Sequence, residues 1–273
     1  MFKDFVVKFP QLSKLYLDLS SCSQLEEDFI KNLSRSISCL TCLIELSLNF
    51  AQTQLGNQEI LILMPSLKHL GFLRYLKLDF SGSQGLDTLA IEGLCKALGS
   101  LEHLQGLAIN LSQCTQLNNL DVKNLVCNIK KLRTLSKFFL SLVNVGPLHI
   151  ETLQILMGHG GGLNQLTHLN LRLPLQYQNL GVSKGFARSF VPLLNLFSLE
   201  LSLSVCQTGF KYLKEDILEG LVALPKLSRL YLDFYSHSYF MDQLLGSLGK
   251  VLNQLGLEEL GLNLQGSLNI RTS

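Results

Sequence analysis

Leucines alternate with polar residues in nine short segments that recur along the chain. The first is LSKLYLDLS, in which Leu15, Leu17 and Leu19 alternate with Tyr16 and Asp18. A period of two places successive side chains on opposite faces of a β-strand, so each segment predicts one half-buried strand. The predicted strands lie near residues 14–20, 45–51, 75–81, 106–112, 137–143, 168–174, 198–204, 229–235 and 259–265.

Between these segments the hydrophobic spacing becomes helical. The spacing is clear in one stretch, which contains Leu86, Leu89, Leu94, Leu98 and Leu101. Leucines three to five residues apart lie on one side of an α-helix, so each repeat also predicts one helix. The helix starts carry acidic residues, such as Glu26 and Asp121, where the helix dipole favours negative charge.

The strand segments recur at a fixed step. The second leucine anchor, Leu15 in the first copy and Leu260 in the last, repeats every 30 or 31 residues. A period in this range indicates a solenoid, in which each unit buries its apolar face only by stacking on its neighbours. Because every copy repeats the same crossover, all strands run parallel. We therefore expect one α/β domain over residues 1–273, built from nine repeats.

This arrangement resembles the leucine-rich repeat superfamily, in particular its ribonuclease-inhibitor-like branch with long repeats. The resemblance covers about residues 10–265 and implies a horseshoe, with a curved parallel sheet on the concave side and helices on the convex side. The family places Asn or Cys soon after each strand. Here the corresponding slot lies two residues later, which predicts longer strands, and it holds Cys22, Thr53, Ser83, Cys114, Val145, Gln176, Cys206, His237 and Ser267.

Composition narrows the setting of the protein. The chain has seven cysteines, which is an odd number, and their placement follows the repeat. The N-terminal segment MFKDFVVKFP lacks the features of a secretory signal. These observations predict reduced thiols and a cytoplasmic protein, and they are compatible with nuclear or cytoskeletal association. The net charge is only +2 and no apolar run could span a bilayer, so we expect neither nucleic acid nor membrane as a partner.

The polar side of the strands is the candidate binding surface, because in a horseshoe it forms the concave wall. Its central positions are rich in Asp and Asn, which either accept hydrogen bonds from a partner or bond to each other across strands. Neighbouring positions vary and include aromatic residues, which often anchor interfaces. The candidate partner-binding residues are Tyr16, Asp18, Asn49, Lys77, Asp79, Asn110, Phe139, Arg172, Tyr231, Asp233 and Tyr235.

Sequence motifs give no support to an enzyme. Cys39 and Cys42 have the spacing of half a zinc site, but no second pair of ligands follows, and the six histidines are scattered over different repeats. We therefore predict no cofactor and no metal. The predicted function is a non-enzymatic protein-protein interaction scaffold, which also fits a component of a larger assembly. The alternatives are a regulator of an enzyme or small GTPase, as an inhibitor or activating protein, and a sensor or docking segment of a larger protein such as a kinase.

Overall fold

The structure is a computed structural model of the 273-residue chain. It describes residues 8–23, 25–146, 148–157, 163–175, 190–205, 218–233 and 248–263. The chain divides into two compact units, Met1–Gly146 and Pro147–Ser273.

Nine parallel strands carry the fold. The first unit contains β1 to β5, which pair in chain order, and the second contains β6 to β9, which also pair in chain order. Their bounds are Lys14–Asp18, Glu45–Asn49, Tyr75–Asp79, Gly106–Asn110, Lys137–Ser141, His168–Leu175, Ser198–Val205, Arg229–Asp233 and Glu259–Asn263. In every described pairing, apolar anchors one repeat apart are partners, as in Leu15 with Leu46 and Leu107 with Phe138. The predicted α/β fold of leucine-rich repeat type is confirmed.

The strands end earlier than the leucine pattern predicts. Each of β1 to β5 ends at the Asp, Asn or Ser of its segment, two residues before the predicted end. The backbone ladder nevertheless continues for one turn, since the N–H of Leu19 donates to the carbonyl of Asn49 at 2.8 Å and that of Ser21 to Ala51 at 2.7 Å. β6 and β7 agree with their predicted spans to within one residue. The predicted ends of β8 and β9, at residues 235 and 265, lie outside the described residues.

A turn with one left-handed residue ends each of the first five strands. The left-handed positions are Ser21, Gln52, Gly82, Gln113 and Asn144, with φ between 58° and 79°. Each lies directly before the slot that the family resemblance identified, and the slot N–H donates back three residues, as from Cys114 to Leu111 at 3.2 Å. The slot side chains of Thr53, Ser83, Cys114 and Val145 are buried. Cys114 also links neighbouring repeats, because its Sγ donates to the carbonyl of Phe80 at 3.3 Å.

Within the described ranges, five α-helices lie between strands, with bounds α1 Glu27–Ser38, α2 Asn57–Leu63, α3 Thr88–Leu98, α4 Asn119–Ile129 and α5 Ile150–Met157. A 3₁₀ helix, Met64–His69, follows α2 directly, and residues 218–222 and 248–252 are also helical. The start of α4 is capped reciprocally: Asn118 Oδ1 accepts the N–H of Leu120 at 2.8 Å, while Asp121 Oδ2 accepts that of Asn118 at 2.9 Å. Such caps satisfy N–H groups that have no partner within a helix.

The core contains the leucines of the strands together with the apolar side of the helices. Leu46 and Leu48 of β2 are buried, as are Ile30, Leu33 and Ile37 of α1. Phe50 and Phe80, one repeat apart, stack at 5.8 Å between ring centroids. The alternation predicted for the strands is thus observed, and it leaves one side of the sheet exposed. Among the described helices, none has the length and apolarity needed to cross a membrane.

Candidate functional site

The exposed side of the strands is the candidate site, and we call it the strand face. It displays three columns, formed by the first, third and fifth residues of each five-residue strand. In β1 these residues are Lys14, Tyr16 and Asp18. The register of the strands pairs each column with the same column of the next strand within a unit. The strand face is therefore a regular array of side chains, carried by strands that backbone hydrogen bonds hold in register.

In the first unit, neighbouring side chains of the third column form hydrogen bonds with each other. Asn49 Nδ2 donates to Asp18 Oδ1 at 3.0 Å, and Asn110 Nδ2 donates to Asp79 Oδ2 at 2.9 Å. Ser141, the next member, shares a 2.7 Å hydroxyl hydrogen bond with Ser112. The lateral bonding that the sequence offered as one interpretation is thus present in two pairs.

The same side chains also end their strands. Asp18, Asn49, Asp79 and Asn110 each accept, at 2.9 to 3.1 Å, the backbone N–H two residues further on. Hydrogen bonds from Ser20, with a smaller contribution from Asn49, hold the pKa of Asp18 below its ordinary value. Because Asp and Asn favour such local turns over strand continuation, this column explains the early strand ends.

The second column carries the predicted aromatic and basic candidates. Tyr16 is 60% exposed and Tyr231 is 39% exposed, whereas Phe139 is half-buried. Lys77 is exposed. Of the remaining candidates, Arg172 is exposed in the third column of β6, and Asp233 is half-buried in that of β8, where it accepts a 3.0 Å hydrogen bond from Ser202. Tyr235 lies outside the described residues.

The second unit forms a groove on its strand face. The groove has a volume of about 710 Å³ and is lined by Arg172, Ser198, Leu199, Glu200, Arg229, Leu230, Tyr231, Asp233, Glu259, Leu260 and Gly261. Three of the predicted candidates, Arg172, Tyr231 and Asp233, are brought together here. Arg172 pairs with Glu200 at 2.9 Å, and Arg229 pairs with Glu259 at 3.3 Å. Arg229 also lies over the Phe197 ring, 5.4 Å from its centroid.

Sequence reasoning missed the charged pairs and the glycines beside the tyrosines. Gly261 lies opposite Tyr231 in the register, and a Cβ at Gly261 would collide with that ring. Tyr75 has the same relation to Gly106, where a Cβ would be 2.6 Å from Tyr75 Cδ1. An aromatic residue opposite glycine shields the bare backbone, which fixes the position of the ring. Opposite charges one repeat apart in the first column, such as Arg229 and Glu259, are the sequence signal for these pairs.

Charge pairing also orders the first strands. Glu45 Oε2 lies 3.2 Å from Lys14 Nζ, and a hydrogen bond with Glu45 raises the pKa of Tyr16. The same hydrogen-bond partner raises the pKa of Lys14, so both groups lose their protons only at a higher pH than usual. Lys14, Tyr16 and Glu45 thus form a polar cluster at the start of the strand face.

Two buried thiols, Cys95 and Cys114, are poorly reactive. Burial raises the pKa of Cys95 and of Cys114 to about 11, so both thiols stay protonated and poorly nucleophilic at neutral pH. In the part of the chain that the structure describes, no group of three His, Cys, Asp or Glu residues is placed to hold a metal ion. The chemistry of the strand face is therefore hydrogen bonding, charge pairing and aromatic contact.

Comparison with solved structures finds matches, two of which follow. The tropomodulin C-terminal domain of Caenorhabditis elegans is 12% identical with a TM-score of 0.45, and the match covers 60% of this chain and 93% of that chain. Leiomodin-1 actin-binding site 2 is 16% identical with a TM-score of 0.41, with 51% and 77% covered. No model of a known protein family matches the sequence, and no curated protein matches it.

Proposed function

We propose that this chain is a non-enzymatic scaffold that binds a protein partner through its strand face, the surface that forms the concave side in the solenoid expected from the sequence. The observation that carries the proposal is the groove of the second unit, where Tyr231 and two arginines line one exposed surface. Tyrosine and arginine are the residue types that most often dominate the energy of protein interfaces.

The sheet keeps the cost of ordering these side chains low. Tyr231 is fixed against Gly261, and Arg172 is held by Glu200 across adjacent strands. A surface that is ordered before binding loses little conformational entropy when the partner arrives. Because exposed ion pairs contribute only about 0–1 kcal/mol each, Arg172 can exchange Glu200 for a carboxylate of the partner at small cost.

We also propose a cytoplasmic setting and a place in the ribonuclease-inhibitor-like branch. The branch is supported by repeats of 30 or 31 residues that contain helices of 11 or 12 residues, such as α1 and α4. The setting is supported by Cys95 and Cys114, which are buried as single thiols in the core, a use of cysteine typical of reducing compartments.

A photo-crosslinking amino acid at Tyr231 tests the binding surface. The matched control is Val222, which is 46% exposed in the helical residues 218–222 of the same unit. In extracts of the native cell, we expect a specific crosslinked partner from position 231 and none from position 222. Crosslinks from position 222 alone would place binding on the helical side and contradict the proposal.

Mutation supplies the quantitative test once the partner is purified. Tyr231→Ala is expected to weaken binding about tenfold or more, the loss typical of a central aromatic anchor, whereas Val222→Ala leaves affinity unchanged. Equal affinities for the two variants, with both melting like the wild type, would show that the groove is not the interface.

A further inference from the structure

The two terminal strands of the described chain leave apolar side chains uncovered. β1 pairs with β2, and β9 pairs with β8. Leu260 of β9 is 44% exposed, although the equivalent Leu230 of β8 is only 1% exposed. Leu15 and Leu17 of β1 are half-buried, whereas the equivalent leucines of β2 are buried. A strand edge with exposed leucines is a template for pairing with another strand.

The first column shows which strand would fit next to β9. At both ends of the described strand series this column places opposite charges side by side, Lys14 with Glu45 and Arg229 with Glu259. Glu259 is the last described member of the column, and its side chain is 70% exposed. If β1 of a second molecule followed β9 in the same register, Lys14 would lie beside Glu259. The column would then continue with a third opposite-charge neighbour.

The other positions of the two strands are also compatible. In the same register Leu15 and Leu17 would lie beside Leu260 and Leu262, which repeats the leucine pairing found between β1 and β2 and between β8 and β9. Tyr16 would lie beside Gly261, which the Tyr231 ring already covers, so the exposed ring of Tyr16 would become the neighbour of the Tyr231 ring. In this register leucines thus face leucines, and no like charges face each other at the compared positions.

The backbone pattern repeats in the same way. The carbonyl of Ser13 accepts the N–H groups of Ile44 and Glu45, at 2.8 and 3.0 Å. The carbonyl of Ser228 accepts those of Glu258 and Glu259, at 2.8 and 3.1 Å. One further step of this pattern would direct the N–H groups at the start of β1 to the carbonyl of Glu258. Parallel pairing would therefore use the hydrogen-bond geometry that the repeats already have.

We propose that β9 of one molecule pairs in parallel with β1 of a second copy of this chain, as if that copy were the next repeat. The contact joins two different surfaces, so it is heterologous, and each added copy again presents a β1 or a β9 edge. It lies at the strand edges and does not depend on the groove proposed to bind another protein. Self-association should increase with concentration and weaken with salt, which screens the Lys14–Glu259 attraction.

Charge reversal tests this contact by sedimentation velocity over a range of protein concentrations. Wild type should self-associate, and Lys14→Glu and Glu259→Lys should each weaken association about tenfold, because an attraction becomes a repulsion. Mixing the two variants should restore association, since the new positive charge at position 259 of one molecule then meets the new negative charge at position 14 of the other. Restoration also shows that the variants are folded, which thermal melts confirm independently.

The control is Lys31→Glu, which reverses a lysine on α1, where Lys31 Nζ is 2.7 Å from Glu27. It should associate like wild type, although its net charge equals that of Lys14→Glu. The proposal is overturned if wild type remains monomeric at all concentrations. It is equally overturned if the single reversals associate like wild type, if their mixture associates no better than either alone, or if Lys31→Glu weakens association as much as Lys14→Glu.

Discussion

Asp79 offers the sharpest test of whether the third column holds the repeats together. Its carboxylate accepts three hydrogen bonds: from Ser81 N–H at 3.0 Å, from the Ser81 hydroxyl at 2.6 Å and from Asn110 Nδ2 at 2.9 Å. Asp79→Ala removes all three and leaves the donors to water. Because the side chain is half-buried, each bond should contribute about 0.5–1 kcal/mol net, so we expect a loss of about 2 kcal/mol.

Lys77→Ala is the matched control, since Lys77 lies two residues earlier in the same strand and is exposed. Its loss should stay within about 0.5 kcal/mol, as is usual for surface positions. Urea unfolding followed by circular dichroism gives both free energies of unfolding. Hydrogen exchange adds a local measurement, because the Ser81 amide should exchange faster only in Asp79→Ala. If the two variants are equally stable and Ser81 keeps its protection, the structural role of Asp79 is refuted.

Two further predictions concern a thiol and a turn. Burial raises the pKa of Cys114 to about 11, so iodoacetamide at pH 8 should leave native Cys114 unmodified while it labels the exposed Cys127. Mass spectrometry measures both modifications, and rapid labelling of Cys114 would contradict its burial. At the left-handed position Gly82, any Cβ would displace the exposed Gln52 side chain. A change to Val should cost about 1–2 kcal/mol in the free energy of unfolding measured with urea, and a change to Asn should cost less, because Asn144 occupies the equivalent turn. Equal stability of the two variants would show that this φ does not favour Asn over Val.

The repeat period predicted the strand positions well for a physical reason. A solenoid buries the same leucine positions in each turn, so the spacing of leucines directly records the spacing of strands. All described strands begin at the first residue of their predicted spans. The ends were missed because Leu19 and its equivalents remain buried or half-buried after the strand has turned, and burial alone does not distinguish a strand from a turn.

The candidate site was predictable only in part. The second and third columns follow from alternation, and Tyr16, Arg172 and Tyr231 are exposed where the pattern places them. The groove was not predictable, because it depends on ion pairs between residues about 30 positions apart and on rings that occupy the space beside glycines. Such contacts depend on side-chain conformations, which a pattern of hydrophobic and polar residues does not specify.

The lateral bonds of the third column indicate where binding energy on the strand face would arise. A partner that recruits Asp18 or Asp79 must first replace hydrogen bonds that these carboxylates already make, so the net gain is small. Tyr16 and Tyr231, each on the strand face of its own unit, have exposed apolar ring surface that burial would stabilise directly. We therefore expect tyrosines to dominate affinity, while the Asp and Asn side chains maintain the spacing between strands that positions them.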